Sequence, residues 1–488
     1  MAFASLLALA ALLAPVRDAR AHSGEPIYAR LTVPFFCSSQ IPSDIDMIEE
    51  QLNRITQEKI GAQVRLVPLL ALAGSQPDAR REAELNLLEK EGVSFDLFCD
   101  ELRGYEEQAI PLDGLLEIYG QGILSAVGPR LLDDLRGTGT IYTLPSVSDY
   151  VTSEGISMRK DIVDKYQIDL SQIRSAADLG TLFATVRQYE PQLGLVCGYY
   201  SRGAVLGFEI NAQRARDSVF ALDGDGRLVN YFATQQFQSM VELVRSWYLD
   251  GYVHTGMSLQ NTEASALVQA GELFSYITAY KPGIEQEVSV NCGMEMITIP
   301  LMEPVVSNRS STMRYWGITQ SCKNPGKAMQ FLNLLYSDSE VVNLLSYGVE
   351  GVHYVRYDSG VIGYPQGVTA QTVGYVNTMP WLLPNQLISL VWETYDADLW
   401  LQLDQYNRSA QRTELTGFFF DSSAVAEQNQ ALNQIVNEYY YGLTSGQLDP
   451  AIYLPLMLER MQGAGLDAVL AEAQRQYDEW LAAREGIS

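Results

Sequence analysis

Residues 28–69 read YARLTVPFFCSSQIPSDIDMIEEQLNRITQEKIGAQVRLVPL. Tyr28–Phe36 is rich in β-branched and aromatic residues and reads as a strand. After Pro42, Ser43 offers a helix cap and Asp46 closes a capping box. Ile45, Ile48, Leu52 and Ile55 then recur at helical spacing until Gly61 stops the helix. Val64–Leu69 is a second strand, Ala79–Lys90 a second helix and Phe95–Cys99 a third strand. Strand–helix–strand–helix–strand requires parallel pairing with right-handed crossovers, an α/β arrangement. In such sheets ligands gather beyond the carboxyl ends of the strands. That rule singles out Ser38, Ser39, Gln40, Asp100 and Glu101.

The pattern continues downstream. Ile141–Pro145 is a short strand leading through Ser146–Tyr150 into another strand and helix, which marks Asp149 and Tyr150. Ser175 and Asp178 form a second capping box before a helix ending near Tyr189. Asp223-Gly224-Asp225-Gly226 has a calcium-loop flavour, but no distal Glu follows at the spacing an EF-hand needs, so a hairpin turn is expected. Ala451–Gln462 and Leu466–Arg484 read as terminal helices.

With 488 residues, two or three domains are expected. The 59 acidic residues against 33 basic ones give a net charge of -26, which repels phosphate backbones and anionic membranes and excludes nucleic acid as a partner. Charged residues make up only 19% while tyrosines number 28, so polar contacts fall to hydroxyls, amides and phenol tips, a set suited to neutral, hydroxyl-rich ligands. Five scattered cysteines and three histidines show no ligand spacing, so neither a metal nor a cofactor is expected, and the thiols read as buried residues in strands. Ala2–Leu13 with Ala19-Arg20-Ala21 reads as a signal peptide over residues 1–21, which predicts export.

Catalytic signatures are missing: the chain carries no G-x-S-x-G, H-E-x-x-H or P-loop pattern. His353, in Glu350-Gly351-Val352-His353-Tyr354, is either a packed imidazole or a cleft residue. An indole or phenol ring stacks on the apolar face of a sugar while neighbouring amides and carboxylates bind its hydroxyls. Trp381 with Asn385, Trp316 and Tyr280 are candidates for that role, whereas Trp247, Trp392, Trp400 and Trp480 sit at core-like helical spacings.

Several passages together carry a resemblance: IEEQLNRITQEKIGAQVRLVPL (48–69), IYTLPSVSDYVTSEGISMRKDIVDKYQIDLSQI (141–173), NPGKAMQFLNLLYSDSEVVNLLSYGVEGVHYV (324–355), MPWLLPNQ (379–386), GFFFDSSAV (417–425), LDPAIYLP (448–455) and AEAQRQYDEWLAA (471–483). The chain resembles extracellular solute-binding proteins of bacterial ABC importers, of the carbohydrate type with a C-terminal extension of the LipO kind. The likeness runs from about Tyr28 to Ala483. It implies a two-lobed type II periplasmic-binding-protein fold with discontinuous lobes. One lobe is expected over 22–147 and 299–338, the other, with an added helical region, over 148–298 and 339–488. Hinges are expected near Ser146–Asp149, Pro300 and Ser337.

The function so implied is capture of a sugar or oligosaccharide in the interlobe cleft and delivery to a membrane permease, by a monomer that performs no catalysis. A peptide or other small polar solute is the alternative ligand, and an exported glycosidase the less favoured alternative class. Expected cleft contacts are Ser39, Gln40, Asp100, Glu101, Asp149, Tyr150, Tyr280, Trp316, Glu350, His353, Trp381 and Asn385. Relatives usually carry a lipobox cysteine after the signal peptide; Cys37 follows Val33-Pro34-Phe35-Phe36, which is no lipobox, so the resemblance leaves anchoring open.

Overall fold

A computed structural model describes residues 28–38, 40–70, 90, 92–100, 109–136, 139–151, 153–198, 219–254, 264–306 and 314–485. The signal-peptide segment, the helix expected at 79–90 (save Lys90), Ser39 and Glu101 lie outside the described residues.

The opening stretch folds as its pattern demands. Strand Ala29–Cys37 pairs in parallel with Ala62–Leu70, in register from Ala29 opposite Ala62 to Cys37 opposite Leu70. Helix Ile45–Ile60 makes the crossover and buries Ile45, Ile48, Leu52, Thr56 and Ile60. Gly61 ends it at φ 62°, a left-handed conformation that costs glycine no Cβ clash. The expected capping box at Ser43 and Asp46 does not form: Asp44 is the N-cap, without a side-chain bond, and the Ser43 hydroxyl donates to Asp44 Oδ1 and Gly374 O instead.

A three-stranded antiparallel group adjoins this pair, with Tyr315–Ile318 between Leu97–Asp100 and Thr143–Pro145. The two groups join where Thr32 N donates to Asp96 Oδ2 at 2.7 Å and Asp96 N donates to Thr32 O at 2.9 Å. Leu31, Val33, Phe35, Leu97, Leu144 and Trp316 meet Phe331, Leu332 and Tyr336 of helix Pro325–Ser337 in one core. Val341, Val342, Leu344 and Leu345 of helix Ser339–Tyr347, with Tyr375 and Leu383, belong to that same core. This corrects the boundary read at residue 338, because the apolar face of Ser339–Tyr347 packs on the first lobe.

The second core surrounds a sheet in the order Met296–Pro300, Glu154–Arg159, Leu273–Ala279, Gly194–Gly198, with the last pair parallel and the others antiparallel. Phe183, Phe237, Trp247 and Phe274 pack there together with Leu432, Met457, Val469, Tyr477 and Trp480 from the C-terminal helices. Those helices, Ala426–Thr444, Pro450–Gly463 and Leu466–Glu485, therefore share the second lobe's core. Asp223–Gly226 is a hairpin turn between Phe220–Leu222 and Leu228–Asn230, its Asp223 Oδ1 accepting from Asp225 N and Arg227 N. Four of the five thiols are buried; Cys37, Cys99 and Cys197 lie in strands, whereas Cys292 ends a helix.

Among the described residues the chain passes between the two cores three times, after Val147, after Leu301 and after Ile388. The passages are bonded to each other. Ser146 N donates to Arg314 O at 2.7 Å, Val147 N to Pro384 O at 2.7 Å, and Val305–Val306 pairs with Gln411–Arg412. The first two passages run by way of Ser146–Asp149 and Pro300. Ser337 is instead the end of a first-lobe helix, followed directly by Asp338, which caps the next one. The third passage leaves the first core after Ile388 and reaches the second at Leu415.

Candidate functional site

The candidate site on the first lobe is one segment laid across strand ends. Ser38, the first residue beyond strand Ala29–Cys37, donates its amide and hydroxyl to Thr378 Oγ1 at 3.1 and 2.8 Å. Trp316 donates its indole N–H to Leu382 O at 2.8 Å, and Val147, two residues beyond strand Thr143–Pro145, is bridged to Asn385. Residues 378–385 are thus pinned over the end of the sheet where ligands of α/β folds collect. Pro380 starts a 3-10 turn between these anchors, and Trp381, on that turn, is 37% exposed.

Trp316 and Asn385 support this platform from beneath. Trp316 is only 2% exposed, so its ring is core and its N–H is spent on Leu382 O. Asn385 is buried, donates Nδ2 to Tyr336 O at 2.8 Å and accepts Leu387 N at 3.0 Å. Their side chains hold Trp381 in place.

On the second lobe's side, Asp149 and Tyr150 follow the first passage, and Tyr280 and Lys281 follow strand Leu273–Ala279. Lys281 Nζ lies 2.9 Å from Asp149 Oδ2 and 3.3 Å from Glu287 Oε2. Burial, the largest single effect, pulls the Lys281 pKa down, but the two carboxylates outweigh it and the ammonium titrates above its usual range. The Tyr280 and Tyr406 rings meet edge-on at 6.2 Å, and Asn407 donates Nδ2 to Ser148 O at 2.6 Å. Burial raises the Tyr150 phenol, with Asp404 adding to the shift and Arg408 opposing it. Burial also pushes Tyr406 up to about 12. The raised phenols stay neutral, and Lys281 is paired with two carboxylates, which makes the described surface one of rings, hydroxyls, an amide and compensated charge.

The remaining candidates fall elsewhere. Gln40 is exposed near the first strand end, and Asp100 closes a strand whose backbone pairs with Tyr315. Glu350 is exposed and paired with Arg356 at 2.9 Å. His353 is 2% exposed: Nδ1 accepts Val349 N at 2.9 Å, so Nε2 carries the proton shared with Asp44 Oδ2 at 3.1 Å. That imidazole ties its own loop to the start of helix Ile45–Ile60, and its ring lies 5.8 Å from Tyr375, in the segment that leads to Trp381's turn.

Sequence reading missed Lys281, Tyr406 and Asn407. Lys281 carried a usable signal, a cation between a strand end and Pro282-Gly283. Tyr406 and Asn407 sit on helix Leu399–Ser409 and looked like any helical positions.

Comparison with known proteins bears on the fold. A solved structure, the N-glycan transport solute binding protein (NgtS) from Streptococcus pneumoniae, superposes with a TM-score of 0.76 at 19% identity, covering 93% of this chain and 99% of that one. The chain has the fold of a solute-binding protein. An extracellular solute-binding protein from Bifidobacterium longum subsp. infantis matches with a TM-score of 0.63 at 12% identity over 93% of this chain and 98% of that one. In sequence, a carbohydrate ABC transporter substrate-binding protein of S. pneumoniae serotype 4 is 22% identical, covering 98% of this chain and 97% of the relative. A family described as a domain of unknown function (DUF3502) matches residues 414–482, the C-terminal helices that complete the second lobe of this solute-binding-protein fold.

Proposed function

We propose that this chain is the extracellular solute-binding component of an ABC importer that captures a sugar or oligosaccharide between its lobes and hands it intact to a membrane permease. The single observation that carries the reading is Trp381, an exposed indole fixed over the first lobe's strand ends beside three hydrogen-bonded interlobe passages. A rigid aromatic face of this kind stacks on a pyranose while nearby polar groups bind its hydroxyls. The relatives support the ligand class: NgtS structures are described in complex with Man1GlcNAc and with Man5GlcNAc.

Hinge closure is part of the proposal. Paired short passages absorb a rotation of one lobe on the other, and contacts made by ligand to both lobes stabilise the closed form. Catalysis is no part of this reading, and the relatives are named as binding components. Export follows from the signal-like N-terminus and from the extracellular role of such relatives, and a single protomer is the proposed working unit.

A thermal-shift screen of the purified chain against neutral mono- and oligosaccharides, peptides and amino acids tests the reading. A ligand at 100-fold excess over Kd stabilises by about 2.7 kcal/mol, which raises the melting point by several degrees. A shift with neutral glycans is expected; a shift confined to peptides, or sugar cleavage during incubation, contradicts it.

A further inference from the structure

In the first passage the bonding changes from one lobe to the other at a single residue. Val147 belongs to the first lobe: its N–H donates to Pro384 O at 2.7 Å and its C=O accepts Gln386 N at 3.0 Å. One residue later the bonds run the other way. Ser148 O accepts Asn407 Nδ2 at 2.6 Å, and Asp149 Oδ2 lies 2.9 Å from the Lys281 ammonium of the second lobe. Asn407 stands on helix Leu399–Ser409, which the second lobe touches near both ends. Tyr406 donates its hydroxyl to Tyr280 O at 3.3 Å, and Gly283 sits so close to the helix that a Cβ there would fall 2.7 Å from Leu399 Cδ1. A rotation between the lobes is therefore absorbed in the backbone of Ser148, whose preceding residue moves with one lobe and whose carbonyl moves with the other.

The side chains at this bend are unsatisfied. Ser148 is fully buried and Asn407 is 3% exposed, yet Ser148 Oγ and Asn407 Oδ1 have no hydrogen-bond partner. Each has lost its hydration without recovering a bond, which is costly for a hydroxyl and for an amide oxygen alike. The two are complementary, one able to donate and the other only to accept. They are also neighbours, because the Asn407 amide already reaches the Ser148 carbonyl through its nitrogen.

We propose that Ser148 is the pivot of the first passage and that its hydroxyl donates to Asn407 Oδ1 only when the lobes close. The closed form gains a bond that the conformation with both atoms unpaired lacks. That bond tilts the equilibrium toward closure and so raises the apparent affinity for ligand. The proposal rests on the hinge-closure reading and adds the residue that bends and the bond that holds the bend. Ser148 and Asn407 act here as positioning residues, without touching the ligand.

Ser148→Ala in the full chain tests it, first without ligand. Removing a hydroxyl that has no partner leaves the denaturant midpoint unchanged or raises it; a lowered midpoint means that the hydroxyl is already bonded and overturns the proposal. With mannotriose and chitotriose as probes, calorimetric titration should show Kd raised about fivefold in Ser148→Ala, the worth of one neutral hydrogen bond. Asn407→Ala also loses the bond to Ser148 O, so it should lower the midpoint and weaken the same probe. In the double variant the two affinity losses should not add. Ser148→Ala alone decides the matter should Asn407→Ala fail to fold. Distances between spin labels on helix Ile45–Ile60 and helix Gln235–Leu249 separate the two ways of failing. Shortening with sugar in the native chain, together with unchanged affinity in Ser148→Ala, overturns the pivot bond while closure stands. No shortening with either sugar removes the closure reading, and the pivot bond falls with it.

Discussion

The ammonium of Lys281 lies 2.9 Å from the carboxylate of Asp149, joining the end of a second-lobe strand to the first interlobe passage. Glu287 holds the same ammonium from the other side at 3.3 Å. One cation therefore separates two carboxylates that would otherwise repel each other at the point where the chain bends. Replacing it by Lys281→Met leaves both acids uncompensated. The expected loss is about 1–3 kcal/mol, below the ~3–5 kcal/mol of a wholly buried pair because Lys281 keeps some solvent contact, read from denaturant midpoints.

The same pair sets a pH dependence. Lys281 titrates higher in the folded chain than in the unfolded one, because the two carboxylates more than offset burial. Its contribution is complete below the unfolded lysine pKa of ~10.4 and disappears as pH climbs through the raised folded value. Stability measured from pH 7 to 11 should fall at the alkaline end in the native chain, and fall less steeply in Lys281→Met.

Trp381 and Trp316 should separate function from folding. Trp381 is partly exposed, so Trp381→Ala should change stability by less than about 1 kcal/mol yet weaken glycan affinity about tenfold, equal to ~1.4 kcal/mol. Trp316 fills the first core, so Trp316→Ala should cost about 3–5 kcal/mol of stability. Trp316→Phe keeps most of the volume but frees Leu382 O, and should loosen the Trp381 turn. Melting curves beside titrations distinguish the two outcomes.

The capping box read from Ser175 and Asp178 is present, with both Ser175 N and Ser175 Oγ donating to Asp178 Oδ2 at 3.0 and 2.9 Å. Asp178→Ala should lower the melting temperature measurably, through the helix that buries Leu182, Phe183 and Val186. Because Asp178 is tied to two amides and a hydroxyl, its pKa sits below the usual carboxylate value. This increment is present above the unfolded pKa of ~3.9 and is lost as pH drops through the depressed one.

Local rules were legible where one element decides the outcome. Strand Ala29–Cys37, helix Ile45–Ile60 and strand Ala62–Leu70 follow from apolar spacing and from Gly61, and the terminal helices from their flanking glycines. The failures share one cause, which is that a distant segment competes for the same group. Gly374 O takes the Ser43 hydroxyl and so removes the expected cap. Helix Ser339–Tyr347 carries an apolar face that suits either lobe, and only packing against Ile48 and Leu52 assigns it to the first. Trp316 and Trp381 look alike as sequence; the partner Leu382 O, 66 positions away, makes one of them core. Lys281 and Asp149 are 132 positions apart, so no local pattern could pair them.

Closure around a neutral glycan is the claim on which the functional account depends. Small-angle scattering of the purified chain with and without a saturating neutral oligosaccharide measures it directly. The account predicts a smaller radius of gyration with sugar, reversed on its removal and missing in Trp381→Ala at the same sugar concentration. An unchanged radius with the sugar demonstrably bound between the lobes, or recovery of cleaved sugar, would contradict it.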